Sequence, residues 1–443
     1  MGDIFKAIFG VTAGPLFLIF GLVIFLYLLS LFNIDLSPVF SVMISLTPIW
    51  LPLGLFYITF DRWMFYIQNK FAGNNGRTTL RINLPQEVFK SPEAMESVMA
   101  QIHNSNNPDN LMQTYIDGKH PLTYSFELVS IGGEVRFYIN VPTKKTKNAV
   151  EAQLYAQYPG IEVVEEDIDY TSEIPWNPDK YEYMTFHMGK KEDEIFPIKT
   201  YIDYGLDKMP KEEQKFEPMA PMLEQLGKVK PHERIWIQIL AIPHVKKNFK
   251  NGHLGETPTW EKKAYAKINE MLKRDLRQDP DEPMERAPML TAGERDNIAA
   301  IERNVGKYGY EVGIRWIYIT EKGKFDGDGI SPMIRSFSQY DIIGRNGIGA
   351  RWRTDFDYNF FSDHSGKRKT RLKKYELGKY KDRNYYQQDR KGKADSMKVM
   401  SVEELATIFH IPGSTIVTPT LPRITSARKE APSNLPTGLS TPI

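Results

Sequence analysis

The stretch LTYSFELVSIGGEVRFYINV, residues 122–141, decides the fold. Apolar and polar residues alternate at period two on both sides of Gly132-Gly133, which is the pattern of two strands joined by a tight turn. The stretch therefore predicts an antiparallel β-hairpin in the first half of the chain.

The sequence on either side of this hairpin extends it into a larger unit. The flanking segments predict, in chain order, a strand, a helix, a second helix and a last strand: Thr78–Leu84, Ala94–His103, Thr143–Tyr158 and Ile161–Ile168. With the hairpin in the middle, the order is strand, helix, strand, strand, helix, strand, which is that of the ferredoxin-like unit. We therefore predict a ferredoxin-like α+β unit over residues 77–172.

A second α+β unit is predicted over residues 180–338. The runs RIWIQILAI (234–242) and VGIRWIYIT (312–320) have the continuous apolar character of buried strands. Further strands and helices are predicted at Tyr181–Met188, Ile195–Tyr204, Pro218–Leu226, Trp260–Gln278 and Thr291–Tyr308. This order indicates a duplication whose second unit is ferredoxin-like and elaborated. Residues 339–443 are predicted as a basic, loop-rich segment with a flexible tail, interrupted by a short helix from Ser401 to Phe409.

Two uncharged apolar runs precede these units, Ala7–Phe32 and Leu36–Phe60. Each exceeds the ~20 residues that a helix needs to cross a bilayer. Residues 1–71 are therefore predicted to form a transmembrane helical hairpin followed by a juxtamembrane helix. A cleaved signal peptide is the alternative for the first run, but it fits poorly because a second run follows at once.

The charges around the two runs predict an orientation. Lys6 precedes the first run and Arg62 follows the second, whereas the linker between them has no basic residue. Since cationic flanks stay in the cytoplasm, the chain is predicted to be a multi-pass protein of the bacterial cytoplasmic (inner) membrane. Its soluble domains would face the cytoplasm, with membrane lipids as partners. The absence of cysteine excludes disulfides and Cys-based metal sites.

No motif of the sequence predicts catalysis or a cofactor. The phosphate-cradling pattern G-x-x-x-x-G-K-[ST] is absent, and Gly344, Gly347 and Gly349 have the wrong spacing for a nucleotide loop. The run Asp326-Gly327-Asp328 lacks the later ligands of a calcium loop. We therefore predict no enzyme, no cofactor and no metal site, with an enzyme of unrecognised site as an alternative.

Residues 366–393 carry the main charge asymmetry of the chain. They contain twelve basic and three acidic residues, a formal charge of +9, whereas the whole chain carries +2. Cations interleaved with tyrosines suit contact with phosphates and stacking on bases. A solvated helix face and a patch resting on anionic lipid are the alternatives. The candidate residues for an anionic partner, DNA or an acidic protein, are Lys367, Arg368, Lys369, Arg371, Lys373, Lys374, Lys379, Lys381 and Arg383.

Four segments resemble a known family. They are RINLPQEVFKSPEAME (81–96), FELVSIGGEVRFYI (126–139), NAVEAQLYAQYPGIEVVEEDIDYT (148–171) and MSVEELATIFHIPGSTIVTPTLPRITSARKEAPSNLP (400–436). They resemble the uncharacterised membrane-anchored region that precedes the ATPase domain in coupling-type proteins of type IV secretion and conjugation in candidate-phyla bacteria. The resemblance covers nearly the whole chain and implies no catalytic residue in the part that is present.

In those proteins the P-S-N-L-P segment leads into a P-loop ATPase domain, whereas this sequence contains no P-loop. The resemblance therefore implies a non-enzymatic membrane-anchored platform of a type IV secretion or conjugation-like apparatus, docking a separate P-loop ATPase. A repurposed paralogue, and a membrane-bound nucleic-acid-binding protein acting through residues 366–393, are alternatives. The resemblance also leaves open that the chain forms a homo-oligomer, because coupling-type motors are usually rings. The expected docking residues are Glu403, Glu404, His410, Pro412, Pro432, Asn434 and Pro436.

Overall fold

The computed structural model describes residues 37–85, 91–104, 106–142, 144–208, 216–272, 290–355, 366–384, 397–413 and 422–424. The helices are α1 Ser37–Ser45, α2 Thr47–Asn75, α3 Pro92–Gln101, α4 Leu111–Tyr115, α5 Lys144–Gln157, α6 Ala220–Gly227, α7 Trp260–Met271, α8 Ala292–Val305, α9 Ile330–Arg335, α10 Lys367–Lys381 and α11 Val402–Ile408. The strands are β1 Thr78–Pro85, β2 Tyr124–Ile131, β3 Glu134–Val141, β4 Glu162–Glu166, β5 Tyr181–Lys190, β6 Glu233–Pro243, β7 Gly309–Glu321, β8 Ile348–Arg353, β9 Lys398–Ser401 and β10 Arg423–Ile424.

The chain divides into two compact units. The first contains, among the described residues, 37–74 and 108–119, and the second contains the rest. In the first unit Phe60, Met64 and Ile67 of α2 pack against Tyr115. The indole nitrogen Nε1 of Trp63 donates a hydrogen bond to the carbonyl oxygen of Tyr115 at 2.7 Å. Large apolar side chains between Ile49 and Ile58 are exposed, so the described residues of the first unit bury little apolar surface among themselves.

The structure overturns the predicted transmembrane hairpin. Within the part of the chain that the structure describes, every helix is too short or too polar to cross a bilayer. The run 36–60 is divided between the nine-residue α1 and the first part of α2, where Asp61 and Arg62 follow directly. The run 7–32 lies outside the described residues. The predicted hairpin, the multi-pass inner-membrane localisation and the cytoplasm-facing orientation that rested on it were therefore wrong.

The second unit is an α+β structure built on one ten-stranded sheet, which is largely antiparallel. The strands follow the order β4-β1-β3-β2-β6-β7-β5-β8, with β9 added beside β7 and β10 beside β1. Strands β5, β6, β7 and β8 have the same neighbours in the second half as β1, β2, β3 and β4 have in the first half. The order of corresponding strands is therefore the same when it is read from either end of the sheet. The two halves are joined where β2 and β6 pair antiparallel over eight residues each, from Tyr124 opposite Ala241 to Ile131 opposite Arg234. The predicted units 77–172 and 180–338 thus share one continuous sheet.

Each face of the sheet is covered by a different set of elements. Helices α3, α5, α6, α9 and α11 bury the larger apolar cluster, which includes Phe126, Ile237 and Trp316. Helix α10 and the 3₁₀ turn Tyr170–Glu173 cover a smaller cluster on the other face, around Trp236. A third cluster forms where α7 and α8 pack together. The sheet is therefore buried on both faces, in agreement with its long apolar strands.

Two local predictions differ from the structure. Residues 195–204 form irregular backbone and turns rather than the predicted strand, and their side chains Ile195, Ile198 and Tyr201 are nevertheless buried. The basic segment predicted as loop-rich forms the 15-residue helix α10. In contrast, α11 begins as the sequence predicts, since Ser401 and Glu404 form a reciprocal capping box.

Candidate anion-binding helix and its support

Helix α10 has two opposite faces. Glu376, Leu377 and Tyr380 point toward the sheet and are buried. The exposed cations recur three or four residues apart, so they share the opposite face of the helix. This outer face is formed by Lys367, Arg368, Arg371 and Lys374.

A buried arginine of the sheet holds the C-terminal end of α10. Arg315 lies in the middle of β7 and is fully buried. Its guanidinium donates to the carbonyl oxygens of Lys379 at 2.7 Å and Asn384 at 3.1 Å. It also donates through Nε to Oε1 of Gln238 on β6 at 2.8 Å. A cation at this end satisfies the last carbonyls of the helix and complements its dipole.

A buried carboxylate completes the support on the first half of the sheet. Glu127 of β2 is fully buried. It accepts hydrogen bonds from Tyr170 Oη at 2.8 Å, Gln238 Nε2 at 2.9 Å and Arg383 Nε at 3.1 Å. Arg383 lies two residues after the end of α10, in a left-handed conformation with φ of 49°. The network thus ties the end of α10 to the β2–β6 junction between the two halves.

The charges around Arg383 shift the pKa of two neighbours. Burial raises the pKa of the Asp169 carboxyl, but the charge of Arg383 at 2.5 Å outweighs it together with hydrogen bonds, so the pKa lies below its usual value. Burial and then the charge of Arg383 lower the pKa of Arg77 to about 10. Both groups remain ionised at neutral pH, which keeps the cluster charged.

A third contact joins α10 to β5. Nε2 of His187 lies 2.9 Å from Oε2 of Glu376, and both side chains are buried. Since His187 and Arg315 are paired residues of β5 and β7, the helix is held at adjacent points of the second half of the sheet as well. The arrangement fixes the helix in place while its outer face remains exposed.

The structure separates the nine predicted cations into two groups. Lys367, Arg368, Arg371 and Lys374 are exposed on the outer face, as described above. Lys369 and Lys379 are half-buried, and Lys373 pairs with Asp355 at 3.1 Å. Lys381 donates to the carbonyl oxygen of Ile174, and burial lowers its pKa.

Arg383 is buried in the Glu127 network, so it is not available to a partner in this conformation. Tyr380 is buried there too, and Tyr385 and Tyr386 lie outside the described residues.

The predicted docking residues of the C-terminal segment are placed inside the second unit. Every residue from 401 to 413 is buried, including Pro412. Glu404 pairs with Lys190 at 2.8 Å, and Glu403 pairs with Lys307 at 3.0 Å. In this conformation Glu403, Glu404, His410 and Pro412 are therefore not exposed to a partner, and their predicted role in docking stays a prediction. Pro432, Asn434 and Pro436 lie outside the described residues.

His410 and Glu217 form another internal pair. Burial opposes ionisation of the Glu217 carboxyl, but the charge of His410 and its hydrogen bond outweigh it and lower the pKa of Glu217. Nδ1 of His410 lies 2.9 Å from the carbonyl oxygen of Ala406. The pair therefore fastens the end of α11 to the segment that precedes α6.

The remaining polar loops have structural partners. The described ranges contain no group of three or more acidic or histidine side chains placed to hold a metal ion. Asp326 accepts from the backbone of Asp328 at 2.9 Å, which is a turn. An open pocket of about 420 Å³ lies beside residues 341–347, but there Lys191 pairs with Asp341 and Arg345 with Asp203. These pairs leave the pocket without the convergent cations of a phosphate site.

Glu311 gives a pH-dependent contribution to stability. Burial raises the pKa of its carboxyl, but the hydrogen bond with His244 and the charge of Lys247, 3.0 Å away, lower it from 4.5 to about 2. Because the folded pKa is the lower one, this stabilisation is present above about pH 4.5 and is lost as the pH falls toward 2. The shift corresponds to at most about 3 kcal/mol.

We therefore expect Glu311→Gln to lower the free energy of unfolding at pH 6 and to lower it by much less, at most about 1 kcal/mol, at pH 2.5. Urea unfolding of both proteins at the two pH values measures this difference. An equal loss at both values would show that the carboxylate charge is not the cause.

Sequence reasoning missed the buried residues that support α10. Gln238 and Arg315 each interrupt a continuous apolar run at the centre of a strand, whereas Glu127 is the charged residue of an alternating strand that also contains Ser125 and Ser130. That signal is readable, because an isolated buried charge is costly without a partner. The sequence does not show that the three residues belong to neighbouring strands.

Comparison with known proteins places the chain in one family. Residues 68–341 match the family described as "Domain of unknown function (DUF8128)". The matched span includes β1 to β7 and ends before α10. No curated protein matches the chain, and no solved structure matches it. Since the match covers more than half of the 443 residues, the chain belongs to the DUF8128 family.

Proposed function

We propose that the chain is a non-enzymatic binding platform that contacts nucleic acid through the outer face of α10. The observation that carries the proposal is that α10 has an exposed cationic face on one side and a buried face packed on the sheet on the other. Lys367, Arg368, Arg371 and Lys374 lie on the first, and Glu376, Leu377 and Tyr380 on the second.

The rigid support favours binding over a merely solvated face. Flexible lysines and arginines lose conformational freedom on binding, and a fixed helix limits that loss to the side chains. Each cation that contacts a phosphate releases a counterion from the DNA. A plot of the logarithm of the binding constant against the logarithm of the salt concentration therefore has a slope of about −0.9 for each contact on double-stranded DNA. Four contacts predict a slope of about −3 to −4.

The test is the affinity of the full chain for double-stranded DNA as a function of salt. The variant Lys367→Glu, Arg371→Glu, Lys374→Glu is expected to weaken binding at least tenfold at low salt and to reduce the salt slope by about 3. The matched control is Lys228→Glu, Lys322→Glu, Lys324→Glu, which makes the same charge change at lysines that are more than half exposed elsewhere on the second unit. Equal weakening by both variants, or no binding by the unchanged chain at low salt, would refute the proposal.

The resemblance to coupling-type proteins supports a second candidate function, the docking of a separate P-loop ATPase. The observation that favours this function is that Arg423 is held to the end of β1. Its guanidinium donates to the carbonyl oxygens of Gly413 at 2.7 Å and Pro85 at 3.2 Å. The segment with Pro432, Asn434 and Pro436 therefore begins at a fixed point of the sheet. Affinity purification of the tagged chain, with and without residues 425–443, tests this function. A co-purifying ATPase that is lost on truncation supports it, and recovery of no ATPase contradicts it.

A further inference from the structure

The two ends of the sheet carry opposite charges. Within the described ranges, β4 pairs with β1 alone and β8 with β5 alone, so each ends the path of strands. Residues 162–167, EVVEED, contain four acids and no base. Glu165 pairs with Lys147 and Glu166 pairs with Arg81, so the net negative charge of this edge comes from Glu162 and Asp167. Residues 348–353, IGARWR, contain two arginines and no acid.

This charge pattern selects one kind of edge pairing. Like charges on facing strands are destabilising, which disfavours β4 beside β4 and β8 beside β8 of another copy. Opposite charges favour β4 of one copy beside β8 of the next. The pairing is therefore head to tail rather than two-fold symmetric.

The directions of the strands permit this contact without a change of orientation. All seven pairings from β4 to β8 are antiparallel, so β4 and β8 run in opposite directions within one copy. A second copy placed beyond β8 in the same orientation would add its β4 antiparallel to β8. The alternation of the sheet would then continue across the contact.

Two exposed isoleucines occur where the edges would meet. Ile168, which is 74% exposed, follows the C-terminal end of β4 by two residues. Ile343 is fully exposed and precedes β8 in a loop held by Asn346, whose side chain bonds the backbone of Glu192 and Phe196. In an antiparallel pair the C-terminal end of β4 lies beside the N-terminal end of β8, which brings the apolar side chains to one side of the contact.

From these observations we infer that a second copy of this chain docks along the sheet edge, β4 of one copy against β8 of the next. Because the contact uses two different surfaces, its repetition gives either a closed ring or an open filament. The inference does not depend on binding by α10.

The test is sedimentation velocity of the full chain over a range of concentrations, with two single charge reversals. Arg351→Glu removes the net positive charge of the β8 edge and places an acid there, and Glu162→Arg places a base on the acidic β4 edge. Each variant alone is expected to raise the apparent dissociation constant at least tenfold. Their equimolar mixture is expected to regain association, since each variant supplies the edge that the other has lost. Lys228→Glu, a reversal away from both edges, is the control, and thermal melts confirm folding.

The outcomes separate the alternatives. Association that is lost in both single variants and regained in the mixture establishes the contact. A monomer at every concentration, or variants that associate as the unchanged chain does, overturns it. The variant Ile343→Asp gives an independent check, because a charge among the exposed isoleucines is expected to weaken association without a change in the melting temperature.

Discussion

Replacing Glu127 with leucine is expected to lower the free energy of unfolding by about 3–5 kcal/mol. The carboxylate is the common acceptor for Tyr170, Gln238 and Arg383 in the interior. Its removal leaves the guanidinium of Arg383 buried with Asp169 as its remaining acidic partner. Urea unfolding at neutral pH measures the loss, and hydrogen exchange in α10 reports whether the helix is released.

The surface residue Glu134 provides the matched control. It lies in the same hairpin, its side chain is about half exposed, and it pairs with Arg136 at 2.7 Å. Glu134→Leu is expected to change stability by less than about 1 kcal/mol. The double variant Glu127→Leu, Arg383→Met is expected to recover part of the loss, because apolar residues can replace a buried ion pair. A loss from Glu127→Leu no larger than that of the control would contradict the central role of this carboxylate.

Replacing Lys190 with methionine is the second change with a large expected effect. The side chains of Lys190 and Glu404 are completely buried, with Nζ and Oε1 at 2.8 Å. The lysine also donates to the carbonyl oxygen of Glu194 at 2.9 Å. Without it, the carboxylate of Glu404 stays in the interior unpaired, at an expected cost of about 3–5 kcal/mol.

The neighbouring lysine separates this effect from a general loss of charge. Lys191 is 45% exposed and pairs with Asp341 at the surface. Lys191→Met is expected to cost less than about 1 kcal/mol. Differential scanning calorimetry of both variants measures the contrast, and similar melting temperatures would show that the buried pair is not essential to the attachment of α11.

The elements with local signals could be predicted from the sequence. The hairpin at 122–141 follows from alternation around two glycines, and the start of α11 follows from Ser401 and Glu404. The joining of the halves at β2 and β6 could not be predicted, because it pairs residues more than 100 positions apart. Apolar composition misled at 36–60, since it does not show that the run is divided between two helices.

The candidate site was predictable only on its outer side. The excess of cations in residues 366–393 is a matter of composition, and helical spacing then places four of them on one face. Composition could not show that Arg383 turns inward, because its partner Glu127 lies 256 residues earlier. The burial of Glu403 and Glu404 could not be predicted either. Acidic residues are usually exposed, and the lysines that pair with these two lie far away in the sequence.

The buried segment 401–413 has a consequence for synthesis on the ribosome. Helix α11 packs against α3, about 300 residues earlier, and β9 pairs with β7. The apolar side of α3 that faces α11 therefore stays uncovered until residues 402–408 have left the ribosome. Contacts of such long sequence separation slow folding, and the waiting chain exposes strand edges and apolar side chains to aggregation. We therefore expect this chain to require chaperones during translation.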